Sequence, residues 1–130
     1  MQLYDWTTHY IKFKDCMKKS IQDMKLEGDT IHVVKKQGEI IYHVHEDLES
    51  SIKEMGKEKS VLVALNNKKN LDVLLEQWSK LITHKDLTII FVHPEQNETW
   101  LVHPSTHHKI TEDKNLKESL VTLFNNVARV

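Results

Sequence analysis

The sequence predicts a single-domain α/β protein, a mixed sheet of about five strands in a two- or three-layer sandwich. Three observations carry that expectation. A length of 130 residues suits one hydrophobic core. Two unbroken apolar runs, Ser60 to Leu65 and Leu87 to Val92, read as interior strands covered on both faces. Between them Leu71, Leu74, Leu75, Trp78, Leu81 and Ile82 fall on one helical face. Strand, helix, strand with short connections is a βαβ crossover, so the two strands should lie parallel.

The remaining elements follow in chain order. Leu3, Trp6, Tyr10, Phe13, Met17, Ile21 and Met24 recur at three- and four-residue spacings, which predicts one long amphipathic helix ending near Gly28. A coiled-coil seam is the alternative, but bulky aromatics suit a helix laid on a sheet better. Thr30 to Val34 and Glu39 to His45 are β-branched runs on either side of Lys35-Lys36-Gln37-Gly38, a hairpin with Gly38 in the turn. Leu48, Ile52 and Met55 mark a short helix stopping at Gly56. Beyond Pro94 to Glu98, Thr99 to His103 reads as an antiparallel return strand, and Ser105 to Lys109 as a polar stretch. A closing helix over 113–127, capped near Thr111 or Asp113, then buries Leu116, Leu120, Leu123, Phe124 and Val127. The expected order is αββ(α)βαββα.

Composition narrows the function classes. Apolar residues at 39% and charged residues at 28% describe a globular chain, and a net charge of −1 gives no long-range attraction for polyanions. The one cysteine, Cys16, cannot close an internal disulfide, and mid-helix it reads as a buried or half-buried hydrophobe. The first residues lack a basic segment followed by an apolar one, and no apolar run is long enough to span a bilayer. The expectation is a cytoplasmic protein with no membrane partner.

Two resemblances bear on this order. Helix, three strands, helix, strand over residues 3–92 resembles the core of the restriction-endonuclease-like nucleases. That resemblance implies an acidic residue on the second strand and Asp/Glu-x-Lys on the third, which would hold Mg²⁺ and position the attacking water. Taken as the third strand, Val61 to Leu65 carries neither carboxylate nor lysine. The one literal match, Glu112-Asp113-Lys114, opens the last helix, where acidic residues favour the dipole. Separately, Phe91-Val92-His93-Pro94, Trp100 to His107 and the Leu/Phe-rich closing helix resemble a small conserved archaeal family of unassigned function. This implies an archaeal origin and no chemistry.

Nine histidines make a metal worth testing. His43 and His45, two apart on one strand, share a face and could share an ion. His103, His107 and His108 cluster around Pro104. These five are the candidate ligands, with zinc the alternative to the expected absence of a cofactor. No cysteine or carboxylate spacing completes a known signature, no Gly-rich phosphate loop is present, and Ser105 has no nucleophile elbow. Protonation of all nine histidines near pH 6.5 would carry the charge from −1 toward +8, so weak nucleic-acid binding is expected at pH 5.5 and none at pH 8.

Arg129 is the single arginine beside seventeen lysines, and arginine is the side chain that reads guanine edges, so sequence-specific DNA recognition is not expected. Lys35, Lys36, Lys68 and Lys69, paired in two turns, are the candidate nucleic-acid contacts. The function expected is a non-catalytic protein-interaction or structural module, self-associating as a homodimer. The alternatives are a nucleic-acid-associated protein with a degenerate nuclease-like core and a histidine-metal enzyme.

Overall fold

A computed structural model describes residues 2–110 and 113–130. Among them the elements run α1 (Leu3–Asp15), β1 (Ile21–Glu27), β2 (Thr30–Lys35), β3 (Gly38–Val44), α2 (Leu48–Glu54), β4 (Ser60–Leu65) and α3 (Lys68–Glu76). Then come α4 (Trp78–Leu81), β5 (Leu87–His93), β6 (Glu98–Val102), α5 (Pro104–Ile110) and α6 (Asp113–Asn125). The strands form one mixed sheet in the order β1-β2-β3-β4-β5-β6. β1, β2 and β3 are an antiparallel meander, β3, β4 and β5 run parallel, and β6 returns antiparallel to β5. The expected crossover is therefore present, with its two strands directly adjacent.

The unbroken apolar runs are explained by cover on both faces. Val61, Val63, Ile90 and Val92 point toward α1, where Leu3, Trp6 and Ile11 meet them. Leu62, Ala64, Ile89 and Phe91 point the other way, into a core closed by Leu71, Leu74, Trp78, Leu120 and Phe124. The domain is a three-layer α/β sandwich with one helix on one face and the rest on the other.

The long first helix is shorter than the periodicity predicts. It stops at Asp15, whose carboxylate accepts from the Ser20 and Ile21 amides, both at 3.0 Å, and from the Ser20 hydroxyl. Lys19 turns the chain in the left-handed region at φ +48°, with its amide on Asp15 O. Ile21 and Met24 then belong to β1, so the sheet has six strands instead of five. This also moves Cys16 from mid-helix to the exposed C-cap of α1. Two further differences are local. The helix expected from Leu71 to Ile82 breaks at Gln77 (φ −94°, ψ 5°) into α3 and α4, and the polar stretch after Pro104 is the helix α5. The proposed Thr111 cap lies outside the described residues.

Glu27 pairs with Thr30, so Gly28-Asp29 is a two-residue hairpin turn with Gly28 at φ +57°. A Cβ there would touch nothing within 4 Å, which leaves the left-handed backbone as the sole obstacle to substitution. Gly28→Ala is therefore expected to cost about 1–2 kcal/mol in urea unfolding, and Gly28→Asn visibly less. An alanine variant as stable as the parent would contradict this.

Candidate functional site

The densest titratable cluster lies where α2 crosses β3. His43 and His45 share the face turned toward α2, as their spacing predicts. Asp47 opens α2 by accepting from the Ser50 amide and hydroxyl at 3.3 and 3.0 Å, which carries Glu54, at the other end of α2, back over the strand. There Glu54 joins the two imidazoles, Oε2 to His45 Nε2 at 2.5 Å and Oε1 to His43 Nδ1 at 3.3 Å. Asp29 approaches His45 Nδ1 at 3.8 Å, and Glu58 approaches His43 Nε2 at the same distance.

An ionised Glu54 can only accept, so both imidazole nitrogens facing it must carry hydrogen. A neutral His43 then turns a bare Nε2 lone pair toward the Glu58 carboxylate, acceptor against acceptor. Among the described residues that nitrogen has no hydrogen-bond partner, and it is buried in a side chain only 4% exposed. Burial alone would push the Glu54 carboxyl up, but the hydrogen bonds from His45 and His43 outweigh it and hold the group below its usual range. Bonding by the Ser50 hydroxyl holds Asp47 low, and bonding by the Ser20 hydroxyl does the same for Asp15. A depressed carboxylate contributes stability above its unfolded pKa and loses it as pH falls through the folded value. Stability should therefore decline below about pH 4.5. Urea midpoints of Asp15→Asn/Asp47→Asn, followed from pH 7 to 3, should fall less steeply than those of the parent; identical profiles would refute the assignment.

The five histidine candidates do not gather at one point. His103 lies on the α1 face, with Nδ1 at 3.0 Å from the Thr88 hydroxyl, and His107 Nδ1 accepts from the His103 amide at 3.4 Å. His108 accepts from the Trp78 indole at 3.4 Å. β3 and β6 are three strand spacings apart, about 14 Å, so His43 and His45 are remote from this second cluster and on the opposite face from His103. Among the described residues, no group of three or more His, Cys, Asp or Glu is arranged to hold a metal ion. The register places His93 opposite Glu98, at the far end of β5 from His103.

The four lysine candidates divide between opposite ends of the sheet. Lys35 and Lys36 lie at the β2–β3 turn, at the amino end of the parallel strands. Lys68 and Lys69 begin α3 at the carboxyl end, where Lys68 Nζ is 2.7 Å from Asp72. This division belongs to a wider segregation that a net charge of −1 conceals. At the amino end, segments 16–20, 36–37, 55–59 and 82–86 carry Lys18, Lys19, Lys36, Lys57, Lys59 and Lys85 against Glu58 and Asp86. At the carboxyl end, segments 28–29, 45–47, 66–67 and 94–97 carry Asp29, Glu46, Asp47 and Glu95 and no lysine. Arg129, near that end, is bonded to Asn125 at 3.0 Å.

A groove of about 510 Å³ separates α1 from the β5–β6 turn, lined by Trp6, Tyr10, Phe13 and Pro94 among others. Its inner wall is structural: Trp6 donates to Asn97 Oδ1 at 2.8 Å and stacks on Tyr10 with ring centroids 4.9 Å apart.

Because β1 precedes β2, the third strand in chain order is β3, and Val61 to Leu65 is the fourth. β2 has no carboxylate, and β3 has only Glu39, paired with His32 at 3.0 Å. The nuclease pattern of carboxylates and lysine thus has no counterpart in either register. Comparison with protein-family models, with curated proteins and with solved structures finds no match. Among the described residues, no helix is long and apolar enough to cross a membrane.

Proposed function

We propose that this protein is a non-catalytic protein-interaction module of the cytoplasm, without a cofactor, that works as a homodimer paired through β1. The observation that carries this reading is the order Asp23-Met24-Lys25 on a free sheet edge. β1 is seven residues long and mostly exposed on both faces. The Met24 amide is turned off the edge and donates to its own neighbour, Asp23 Oδ1, at 2.9 Å, a bond that a pairing strand would take over. Antiparallel pairings of two copies about a two-fold axis centred on Asp23, Met24 or Lys25 differ in the charges they oppose. The first sets Asp23 against Asp23. The last sets Lys25 against Lys25 and Asp23 against Glu27. Only the Met24-centred register places Asp23 of each copy opposite Lys25 of the other, and cross-strand opposite charges are favourable where like charges are not. Met24 and Leu26, the latter 54% exposed, add apolar contact on the α1 side.

Sedimentation equilibrium tests it. The parent should be dimeric, Asp23→Lys and Lys25→Asp should each weaken the dimer, and the double reversal should restore it. A monomeric parent at all attainable concentrations overturns the reading.

A second reading, a nucleic-acid-associated protein with a nuclease-like core stripped of catalytic residues, is supported by the order helix, three strands, helix, strand over residues 3–65. Retention on DNA at near-physiological salt tests it.

A further inference from the structure

We infer that the amino end of the parallel strands is a binding site for the phosphate backbone of nucleic acid, engaged without regard to base sequence. Lys18, Lys35 and Lys59 reach it from three connections far apart in the chain, and together they line a depression of about 490 Å³ beside Ser20 and Gly38. Lys19, Lys36 and Lys57 adjoin them in sequence. None of these lysines is in an ion pair among the described residues. Among the described residues the lysine ion pairs are Lys53–Glu49 and Lys68–Asp72. Two carboxylates lie near: Glu39, on the wall of the depression, is 3.0 Å from His32, and Asp15 is held low by the Ser20 hydroxyl and also by the charge of Lys35, so the three lysines outnumber the acids by one.

Three ammonium groups lining one concavity fit successive phosphates of a backbone, and the acidic loops at the carboxyl end would orient that approach. Lysines act as point charges, and with Arg129 at the opposite end no bidentate base reading is available here. An anionic lipid surface offers the same phosphate chemistry. It would need a broad apolar face beside the basic one; here Met17 beside Lys18 and Ile40 in the depression are the apolar groups, while the exposed Phe13 lines the groove beside the β5–β6 turn. The site does not depend on the nuclease-like reading or on pairing through β1.

The test is fluorescence anisotropy with labelled random-sequence DNA, single- and double-stranded, at pH 8, above the ordinary histidine range, where the net charge of −1 alone predicts no binding and the lysines of this depression predict some. Binding in the range of roughly 10⁻⁴–10⁻⁶ M is expected at low salt, with affinity falling about 20- to 40-fold between 50 and 200 mM if three phosphates are neutralised. Lys35→Glu/Lys59→Glu should weaken binding by about tenfold or more, while Lys68→Glu/Lys69→Glu, at the other end, should change it less than about twofold. Circular dichroism and melting curves of both variants exclude unfolding as the cause. No binding by the parent at low salt overturns the inference. So does an equal loss in the Lys68/Lys69 variant, or binding to phosphatidylserine vesicles with none to DNA.

Discussion

Replacing Asn66 by alanine is expected to destabilise the domain by about 2–4 kcal/mol, among the largest effects of any single polar substitution. Asn66 is fully buried at the end of β4 and satisfies four groups at once. Its Oδ1 accepts from the Trp100 indole at 2.8 Å. Its Nδ2 donates toward the carbonyls of Phe124, Val127 and Ala128 at 3.4, 3.2 and 3.2 Å. Main-chain bonds to Val92 O and from the Val130 amide continue the seam. This one side chain therefore fastens β6 and the C-terminal segment to the centre of the sheet. Alanine would orphan a buried indole N–H and several carbonyls, each a desolvated group without a partner. Asn66→Asp should be worse, because it deletes the donor and buries a carboxylate among carbonyl oxygens. Urea unfolding at pH 7 measures both, and an alanine variant within about 0.5 kcal/mol of the parent would refute this account.

Neither of the two asparagine anchors was legible beforehand. Asn66 and Asn70 stand in a polar stretch that reads simply as the end of a strand. Asn70 proves to join the β3–α2 loop to β4, donating to Glu46 O and Leu65 O, both at 2.8 Å, and accepting from the Leu48 amide. What hydrophobic patterning does reveal is cover. The runs 60–65 and 87–92 announced parallel interior strands because residues buried on both faces leave no polar alternation. The same reasoning failed over 16–27. Met17, Ile21 and Met24 keep a helical spacing, yet a β-bulge between Ile21 and Asp23 shifts the strand phase by one residue and makes strand and helix periods look alike. Charge shows a similar limit. A total of −1 holds for the whole chain, but that the loops at the two ends of the sheet differ in net sign shows only once the strands are placed. The histidines were half legible: two-residue spacing fixed the common face of His43 and His45. Glu54, which binds them, was invisible because the angle of α2 across the strand is a tertiary fact.

That carboxylate gives the second large prediction: Glu54→Ala should cost about 1–3 kcal/mol, while His43→Leu should lie within about 1 kcal/mol of the parent. The asymmetry follows from what each change leaves behind. Without Glu54, His43 keeps two ring nitrogens in a site 4% exposed and has a hydrogen-bond partner for neither. Without His43, the unpartnered Nε2 disappears, a side chain of similar volume fills the space under α2, and the half-exposed Glu54 retains His45 at 2.5 Å. The double variant should then recover most of the Glu54→Ala loss, a coupling that a double-mutant cycle reads directly. If His43→Leu proves as damaging as Glu54→Ala, the imidazole is contributing hydrogen bonds that the geometry does not contain. If the cycle behaves as expected, the His43 ring lowers stability relative to an aliphatic side chain, so whatever retains a histidine under α2 is something other than the stability of the fold.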